Sequence, residues 1–268
     1  MAGSVLASNA EKNWKNYEDF SAGIDTNRLP NTHDFAGKTI EIKFEDDSVM
    51  KLSFADAAVD WEWQGKSGNA VYEEVKNTPV NYFFDIFMPD TKSSYTIVCN
   101  SETRRVILIN AWLRGPDEPA MEGETSKLSQ KFYVGYILGG EPSGEVPHES
   151  RELIGYRAIN VYSPHHTYEH FYVNSKRYAW QCLNGEQKGQ GDMDYSTCYK
   201  LEDNMYIFAF REKIIPVCSV FFFDYKHSGR CTGKFLGMDG DGSVSNRKAG
   251  AFIQKMSFNC YPFGVEPI

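Results

Sequence analysis

The chain has 268 residues, of which 24% are charged and 41% apolar, and its net charge of −8 gives a pI near 5.3. This composition is typical of a globular protein with one large or two small domains. The acidic balance argues against nucleic-acid binding, since no Lys/Arg cluster could follow a phosphate backbone. No apolar run approaches the roughly 20 residues of a membrane span. The first ten residues lack the features of a signal peptide, so we expect a cytoplasmic protein whose six cysteines are mostly free thiols.

A leader occupies residues 1–31, and its segment from Asn9 to Phe20 predicts a short helix. Asn9 is a suitable N-cap, and Trp14 and Tyr17 would lie on one side of such a helix. Pro30 ends the segment. Strong helical periodicity is absent from the rest of the chain, which favours β-structure.

Short strand-like segments follow in two series of eight. In residues 32–140 they lie near 38–44, 49–54, 59–64, 71–76, 81–87, 94–99, 105–112 and 131–138. A Gly- and Pro-rich connector at 141–152 leads to residues 153–268, with segments near 156–162, 167–173, 177–183, 197–201, 205–212, 217–225, 230–237 and 249–258. This pattern predicts an all-β fold of two tandem antiparallel barrel modules with a short N-terminal helix; one merged barrel is the alternative.

The two series look like copies of one module. Gly37 and Gly155 open the two series 118 residues apart, and Trp63 and Trp180 follow them at an offset of 117. Similarity at a fixed period is typical of a duplicated structural unit. Two barrels imply two interiors, and an aromatic content of 15% suits either a small-molecule pocket or an aromatic core.

Titratable groups concentrate in the segment SPHHTYEHFYVN at 163–174. In a strand, His166, Tyr168, His170 and Tyr172 share one face, and Glu169 lies on the other. His166 and His170 would be about 13 Å apart along the strand, too far for bonds of about 2 Å to one ion. We therefore predict neither a metal nor a cofactor. Acid–base chemistry fits these side chains better than metal binding does. A purely structural role, in which the polar atoms hydrogen-bond one another inside an aromatic interior, fits them equally well.

Charged residues also interrupt two apolar strand segments. Arg211 and Glu212 point to opposite faces, so one of them is expected to face the cavity. A cavity arginine would bind a carboxylate or an enolate; a salt bridge between the modules is the alternative. Asp85 lies inside the apolar segment YFFDIF, either as a paired aspartate or as a functional carboxylate.

The predicted site combines two sets of residues. The candidate catalytic residues are Tyr168, Glu169, His170, His166, Arg211 and Glu212. The candidate ligand-binding residues are Trp63, Tyr72, Tyr82, Phe84, Asp85, Trp112, Tyr172, Trp180, Phe208 and Phe210. The glycine-rich segments at 185–194 and 237–243 match neither a phosphate loop nor an EF-hand, and predict turns.

Three clusters resemble a known family: YEHFY at 168–172, WQCL at 180–183 and REKIIP at 211–216. They are similar to the C-terminal domain of the molybdenum-cofactor-biosynthesis protein F (MoaF) family. The leader, with FAGKTIEIKF at 35–44, resembles the family's N-terminal domain. The resemblance spans nearly the whole chain, but Phe210 stands where the family often has tryptophan, and the turn at 189–194 also departs. It implies lipocalin-like (calycin) domains, in a family named for its association with cofactor operons.

Two functions follow for an apolar or aromatic small-molecule ligand. The first is a cofactor-independent isomerase, cyclase or lyase that moves protons with its His, Tyr and Glu side chains. The second is a binding or carrier protein, which would not need those groups. An accessory role in molybdenum-cofactor biosynthesis is a third, but an anionic pterin phosphate would need a basic pocket. Donors for such a pocket are Arg177, Lys200, Arg211 and Lys213. Apolar outer faces would pack on the sister module or on a second chain, as in a homodimer.

Overall fold

The computed structural model describes residues 14–268. Within them, one short α-helix, α1, spans Tyr17–Phe20, and one 3-10 turn spans Pro89–Thr91. The N–H of Asn16 donates to Asp19 Oδ2 at 3.1 Å and caps the start of α1. The predicted cap, Asn9, lies outside the described residues.

The first barrel contains eight antiparallel strands in chain order. They are β1 (Thr39–Phe44), β2 (Val49–Phe54), β3 (Ala58–Trp63), β4 (Lys66–Lys76), β5 (Asn81–Met88), β6 (Ser93–Asn100), β7 (Arg105–Leu113) and β8 (Leu128–Ile137). Each strand pairs with the next, and β8 returns to β1 with Gly135 opposite Phe44. A Cβ at Gly135 would lie 2.3 Å from the Lys43 carbonyl oxygen. Glycine therefore permits the close approach that shuts this barrel.

The second barrel repeats the arrangement after a short strand, β9 (His148–Glu149). Its strands are β10 (Tyr156–Ser163), β11 (His166–Asn174), β12 (Arg177–Asn184), β13 (Gly191–Glu202), β14 (Met205–Arg211), β15 (Val217–Asp224), β16 (Arg230–Met238) and β17 (Val244–Phe258). Pairing of β10 with β17 and of β12 with β13 closes the eight strands, and β9 adds to β13. The prediction of two tandem antiparallel barrels is confirmed, and one merged barrel is excluded.

The prediction of a turn over residues 185–194 is wrong for its last four residues, which belong to strand β13. The turn ends at Gln190, and β13 starts at Gly191, where Asp192 lies opposite Trp180. Pairing with β12 stabilises a glycine-rich, acidic sequence that has little intrinsic strand propensity. The second predicted turn is present, because the N–H of Asp239 donates to the carbonyl of Ser243 at 2.9 Å.

A shared apolar layer joins the barrels. It contains Val75, Phe83, Val98, Ile107 and Ile109 of the first barrel, and Met205, Ile207, Ala209, Val220 and Phe222 of the second. Strands β14 and β15 are buried on both faces, because one face fills their own barrel and the other contacts the sister barrel. The apolar outer faces predicted from sequence thus pack on the sister module, while a homodimer remains a prediction.

The leader crosses the second barrel before it reaches the first. Tyr17 Oη donates to the Phe235 carbonyl at 2.9 Å, and the N–H of Gly250 donates to the Ile24 carbonyl at 3.0 Å. Further along, Arg28 Nη2 lies 2.6 Å from Glu73 Oε2 on the first barrel. The leader therefore connects the two barrels, although it precedes both in sequence.

Two further expectations concern membrane and thiols. Among residues 14–268, no helix is long and apolar enough to cross a membrane. All six cysteines are free thiols, as expected, and Cys99, Cys182, Cys218 and Cys231 are buried.

Candidate site in the second barrel

A small cavity lies inside the second barrel, beneath the leader. Its wall is formed by Phe20, Ile24, Tyr162, Tyr168, His170, Tyr178, Trp180, Gln187, Phe210, Glu212 and Phe235. Its free volume of about 30 Å³ is far below that of a typical small-molecule pocket. The cavity is thus an aromatic chamber with a few polar groups and very little free space.

Strand β11 supplies the polar side of this chamber. Its inner face carries His166, Tyr168, His170 and Tyr172, because side chains in a strand alternate between faces. Tyr168 Oη donates to Gln187 Oε1 at 2.9 Å. The sequence pattern therefore predicted the inward face of β11, and two of its members, Tyr168 and His170, line the cavity.

His170 is enclosed by aromatic rings. Its ring centroid lies 5.1 Å from that of Tyr178 and 6.1 Å from that of Phe208, and only 3% of the residue is exposed. Burial lowers the pKa of His170 to about 3, so the imidazole is neutral near pH 7. Its Nδ1 has no hydrogen-bond partner among the described residues. A neutral imidazole of this kind offers a hydrogen bond rather than a charge.

Two acidic side chains lie near the same cavity. Glu212 lines it with 7% exposure, and burial, with smaller effects of Asp194 and Asp192, raises its pKa well above the usual value. Asp194 is buried, and its carboxylate accepts from Trp180 Nε1 at 2.8 Å and from the N–H of Lys213 at 3.0 Å. Burial raises the pKa of Asp194 to about 6. Burial thus favours the protonated, uncharged form of Glu212 over the carboxylate.

Other buried polar atoms in this barrel also have no partner among the described residues. Both amide atoms of Asn160, which is 0% exposed, are in this state, as is Nε2 of Gln187. Asn160 pairs with Tyr168 across β10 and β11. A buried polar group without a partner costs about 1–3 kcal/mol. Such atoms in one interior are typical of a site where a bound molecule or water completes the hydrogen bonds.

Three predicted catalytic residues lie away from the cavity. Glu169 is on the outer face of β11, 2.6 Å from Arg157. Arg211 contacts Glu124 of the first barrel instead of the chamber, which is the salt bridge between modules that the sequence left open. His166 faces inward but does not line the cavity, and its Nδ1 is 3.0 Å from Ser163 Oγ.

The predicted ligand-binding residues divide between the barrels. Tyr172, Trp180, Phe208 and Phe210 lie inside the second barrel, and Trp180 and Phe210 line the cavity. Trp63, Tyr72, Tyr82 and Phe84 fill the core of the first barrel. The first barrel's rings contact one another closely; Phe84, for example, lies 5.0 Å from Phe35.

Two other predicted ligand-binding residues have different surroundings. Asp85 lies between the barrels, where Lys234 Nζ is 3.8 Å from its Oδ1 and both side chains are almost fully buried. Trp112 donates from Nε1 to Glu118 Oε1 at 2.6 Å in the loop before β8. Asp85 thus follows the alternative of a paired aspartate.

Sequence reasoning missed Asp194, Gln187, Asn160 and the leader residues Phe20 and Ile24. Asp194 was assigned to a turn because of the glycines around it, although its spacing from Asp192 fits one face of a strand. The leader residues gave no local signal, because only the tertiary structure brings them over the barrel. Within residues 14–268, no three His, Cys, Asp or Glu side chains are arranged to bind a metal ion.

Comparison with known proteins assigns both halves of the chain. Residues 12–114 match the MoaF N-terminal domain, and residues 147–258 match the MoaF C-terminal domain. The chain is also 34% identical over 200 residues to Protein MoaF of Klebsiella aerogenes, covering 70% of this chain and 74% of that protein. This chain belongs to the MoaF family. The cavity combines both MoaF domains, since Phe20 and Ile24 come from the N-terminal match and the rest of its wall from the C-terminal match.

Solved structures are less similar. A structure from Burkholderia vietnamiensis, described as a "putative beta-lactamase", is 12% identical, with a TM-score of 0.33 over 39% of this chain and 95% of that chain. The DNA polymerase III beta chain of Streptococcus pneumoniae is 9% identical, with a TM-score of 0.14 over 87% of this chain and 81% of that chain. Similarity at this level says nothing about the function.

Proposed function

We propose that this MoaF-family chain binds a small, uncharged aromatic molecule inside its second barrel. The observation that carries the proposal is the combination of an aromatic wall with neutral polar groups and buried polar atoms that have no partner. His170 and Glu212 would hydrogen-bond the polar edge of such a ligand, while Phe210 and Trp180 contact its ring faces.

The electrostatics of the cavity support an uncharged ligand. An anionic ligand would need a basic side chain in the cavity wall. None of the four candidates lines the cavity: Arg177, Lys200, Arg211 and Lys213. Arg211 pairs with Glu124, Lys213 with Asp192 and Lys200 with Glu152. The fourth, Arg177, stacks on the ring of Tyr195 at 3.9 Å. A phosphate in this chamber would stay unpaired and desolvated, at a high cost in free energy.

An accessory role fits this reading best. The MoaF family is linked to molybdenum-cofactor biosynthesis, and a protein that holds or carries an uncharged small molecule could serve that process without catalysing a step. No cavity side chain needs to react for this role.

A second candidate is the cofactor-independent acid–base enzyme. One observation favours it: Glu212 lines the cavity with a raised pKa, and Asp194 lies nearby with a pKa of about 6. A protonated Glu212 could donate a proton to a bound molecule, and general acids typically contribute about 10²–10⁴-fold in rate.

The test begins with the ligand retained by the protein from its native source, identified by native mass spectrometry. Its affinity is then measured for the wild type, His170→Phe and Glu212→Gln, with Glu169→Gln on the outer face of the same strand as the control. We expect the two cavity variants to lose about tenfold or more in affinity, the effect of one lost hydrogen bond to a buried group, and the control to match the wild type. Equal affinities in all four proteins would contradict binding in this barrel. Conversion of the ligand by the wild type, lost in Glu212→Gln, would favour the enzyme.

A further inference from the structure

We propose that the leader segment 14–24, here called the plug, closes the second barrel and must withdraw before a ligand enters. This inference rests on the proposed function, since it concerns access to the same cavity. The side chains of Phe20 and Ile24 form part of the cavity wall and are almost fully buried. The plug therefore occupies space inside the barrel as well as covering it.

The size of the cavity requires a movement. Pockets for small molecules typically enclose about 300–1,000 Å³, whereas this one has about 30 Å³. The rest of the wall lies on strands of the closed eight-stranded sheet, except Gln187 in the loop before β13 and Glu212 just after β14. Opening the sheet would break a ladder of backbone hydrogen bonds, whereas the plug is not part of any ladder.

The plug is held to the second barrel by separate hydrogen bonds and ring contacts, among them Arg247 Nη1 to Ser21 Oγ at 2.7 Å. Tyr17 Oη donates to the Phe235 carbonyl at 2.9 Å, and the carboxylate of Glu18 accepts from the N–H of Gly240 at 3.0 Å. The ring of Trp14 lies edge-on, 5.8 Å from that of Trp180. Beyond the plug, Arg28 and Thr32 stay bonded to Glu73 and Glu74 of the first barrel. The plug can thus swing out while the chain beyond it stays attached.

Glycines of the second barrel form a seat for the leader. A Cβ at Gly237 would lie 2.7 Å from the Tyr17 ring, and a Cβ at Gly250 would lie 2.4 Å from Cα of Arg28. Neither glycine has a positive φ, so no turn geometry requires glycine there. Glycine is needed at these two positions because the leader packs directly against them. The sequence of the second barrel is therefore adapted to the closed position of the leader.

A closed plug lowers the apparent affinity by the fraction of molecules that are open. If about 1–10% of molecules are open, release of the plug raises the apparent affinity about 10–100-fold. This effect can be measured without altering any cavity residue. A Cβ at Gly237 would lie 2.7 Å from the ring of Tyr17, so Gly237→Ala displaces the plug itself. Gly115→Ala adds a methyl group where no atom lies within 4 Å and serves as the matched control.

The experiment uses the full chain and the uncharged fluorescent probe N-phenyl-1-naphthylamine, with hydrogen exchange of residues 14–24 as a second readout. We expect Gly237→Ala to bind the probe at least tenfold more tightly than the wild type and Gly115→Ala, and we expect adding His170→Phe to reverse the gain. We also expect saturating probe to speed exchange in the wild-type plug. Should Gly237→Ala fail to fold, Gly240→Ala replaces it, because the added Cβ would lie 2.7 Å from Glu18 Oε1 in the plug.

The two proposals fail in different ways. Equal probe affinity in the wild type and Gly237→Ala, with plug exchange unaffected by the probe, would overturn the plug and leave binding in the barrel intact. A variant whose plug exchanges freely but which binds no probe would overturn both proposals.

Discussion

Arg211 of the second barrel holds Glu124, in the loop before the first barrel's last strand, through two hydrogen bonds. Arg211 Nε and Nη2 lie 2.8 and 2.7 Å from the two carboxylate oxygens of Glu124. The side chains are only 2% and 11% exposed, and Arg211 Nη1 also donates to Gln130 Oε1 at 2.8 Å. Because two parallel hydrogen bonds fix both the distance and the angle between guanidinium and carboxylate, this pair helps to fix the relative position of the two barrels.

Removing one partner of this pair should be costly. Arg211→Ala leaves a buried carboxylate without its cation and should lower the free energy of unfolding by about 3–5 kcal/mol. Arg157→Ala is the control, since Arg157 pairs with Glu169 but is 48% exposed, and we expect a change of at most about 1 kcal/mol. Urea unfolding measures both, and similar losses in the two variants would contradict a structural role for the buried pair.

Asp194 should make the protein less stable as pH rises. Its pKa is about 6 in the folded protein against a usual value of 3.8, so the folded state binds more protons than the unfolded state between these values. The stability it contributes is present below pH 4 and is lost as pH rises through 6, on the order of 2–3 kcal/mol. Glu212, with its raised pKa, acts in the same direction.

The measurement compares the urea midpoints of the wild type and Asp194→Asn from pH 4 to pH 7. The wild type should lose stability relative to the variant over this range. Asp241→Asn is a control of opposite sign, because a hydrogen bond from Ser243 lowers the pKa of Asp241. A difference between wild type and Asp194→Asn that does not vary with pH would contradict the burial of that carboxyl.

His170 should remain neutral throughout the physiological range. Burial holds its pKa at about 3, so its ring ¹⁵N chemical shifts should stay constant from pH 5 to pH 8. Long-range ¹H–¹⁵N spectra measure these shifts, and the absence of the signals in His170→Phe assigns them. A titration midpoint near neutral pH would mean that water or a charged partner reaches the ring.

The two glycines that precede the barrels should differ in their tolerance of alanine. Gly37 and Gly155 have φ of +76° and +92°, so an alanine at either costs about 1–2 kcal/mol in backbone strain. At Gly155 the added Cβ would also lie 2.6 Å from the Asn259 carbonyl oxygen, whereas nothing lies within 4 Å at Gly37. Thermal unfolding should therefore show a larger loss for Gly155→Ala, and equal losses would contradict the crowding at that position.

The sequence predicted those strands well whose polar and apolar residues alternate regularly. Alternation of polar and apolar residues located β11 and the inward face of His170, because side chains in a strand have a period of two. The start of β13 was missed, since Gly191 and Asp192 have low strand propensity and are held by pairing with β12. Local pattern cannot report a pairing partner that lies elsewhere in the chain.

The site was predicted only in part for the same reason. At the end of β14 the pattern placed Arg211 and Glu212 on opposite faces, but both faces of that strand are apolar, so it did not show which face is inside. Glu124, the partner that decides the matter, lies 87 residues away. Phe20 and Ile24 reach the cavity only because the leader crosses the second barrel, and no periodicity in the leader indicates that path.

The leader can make its contacts with the second barrel only after almost the entire chain has been synthesised. Tyr17 bonds Phe235, 218 positions later, and Ser21 bonds Arg247, 226 positions later. A nascent chain emerges from its N-terminus, and contacts at such large sequence separation form late. Closure of the second barrel by the leader is therefore expected to be a late step in folding, after the strands of that barrel have paired.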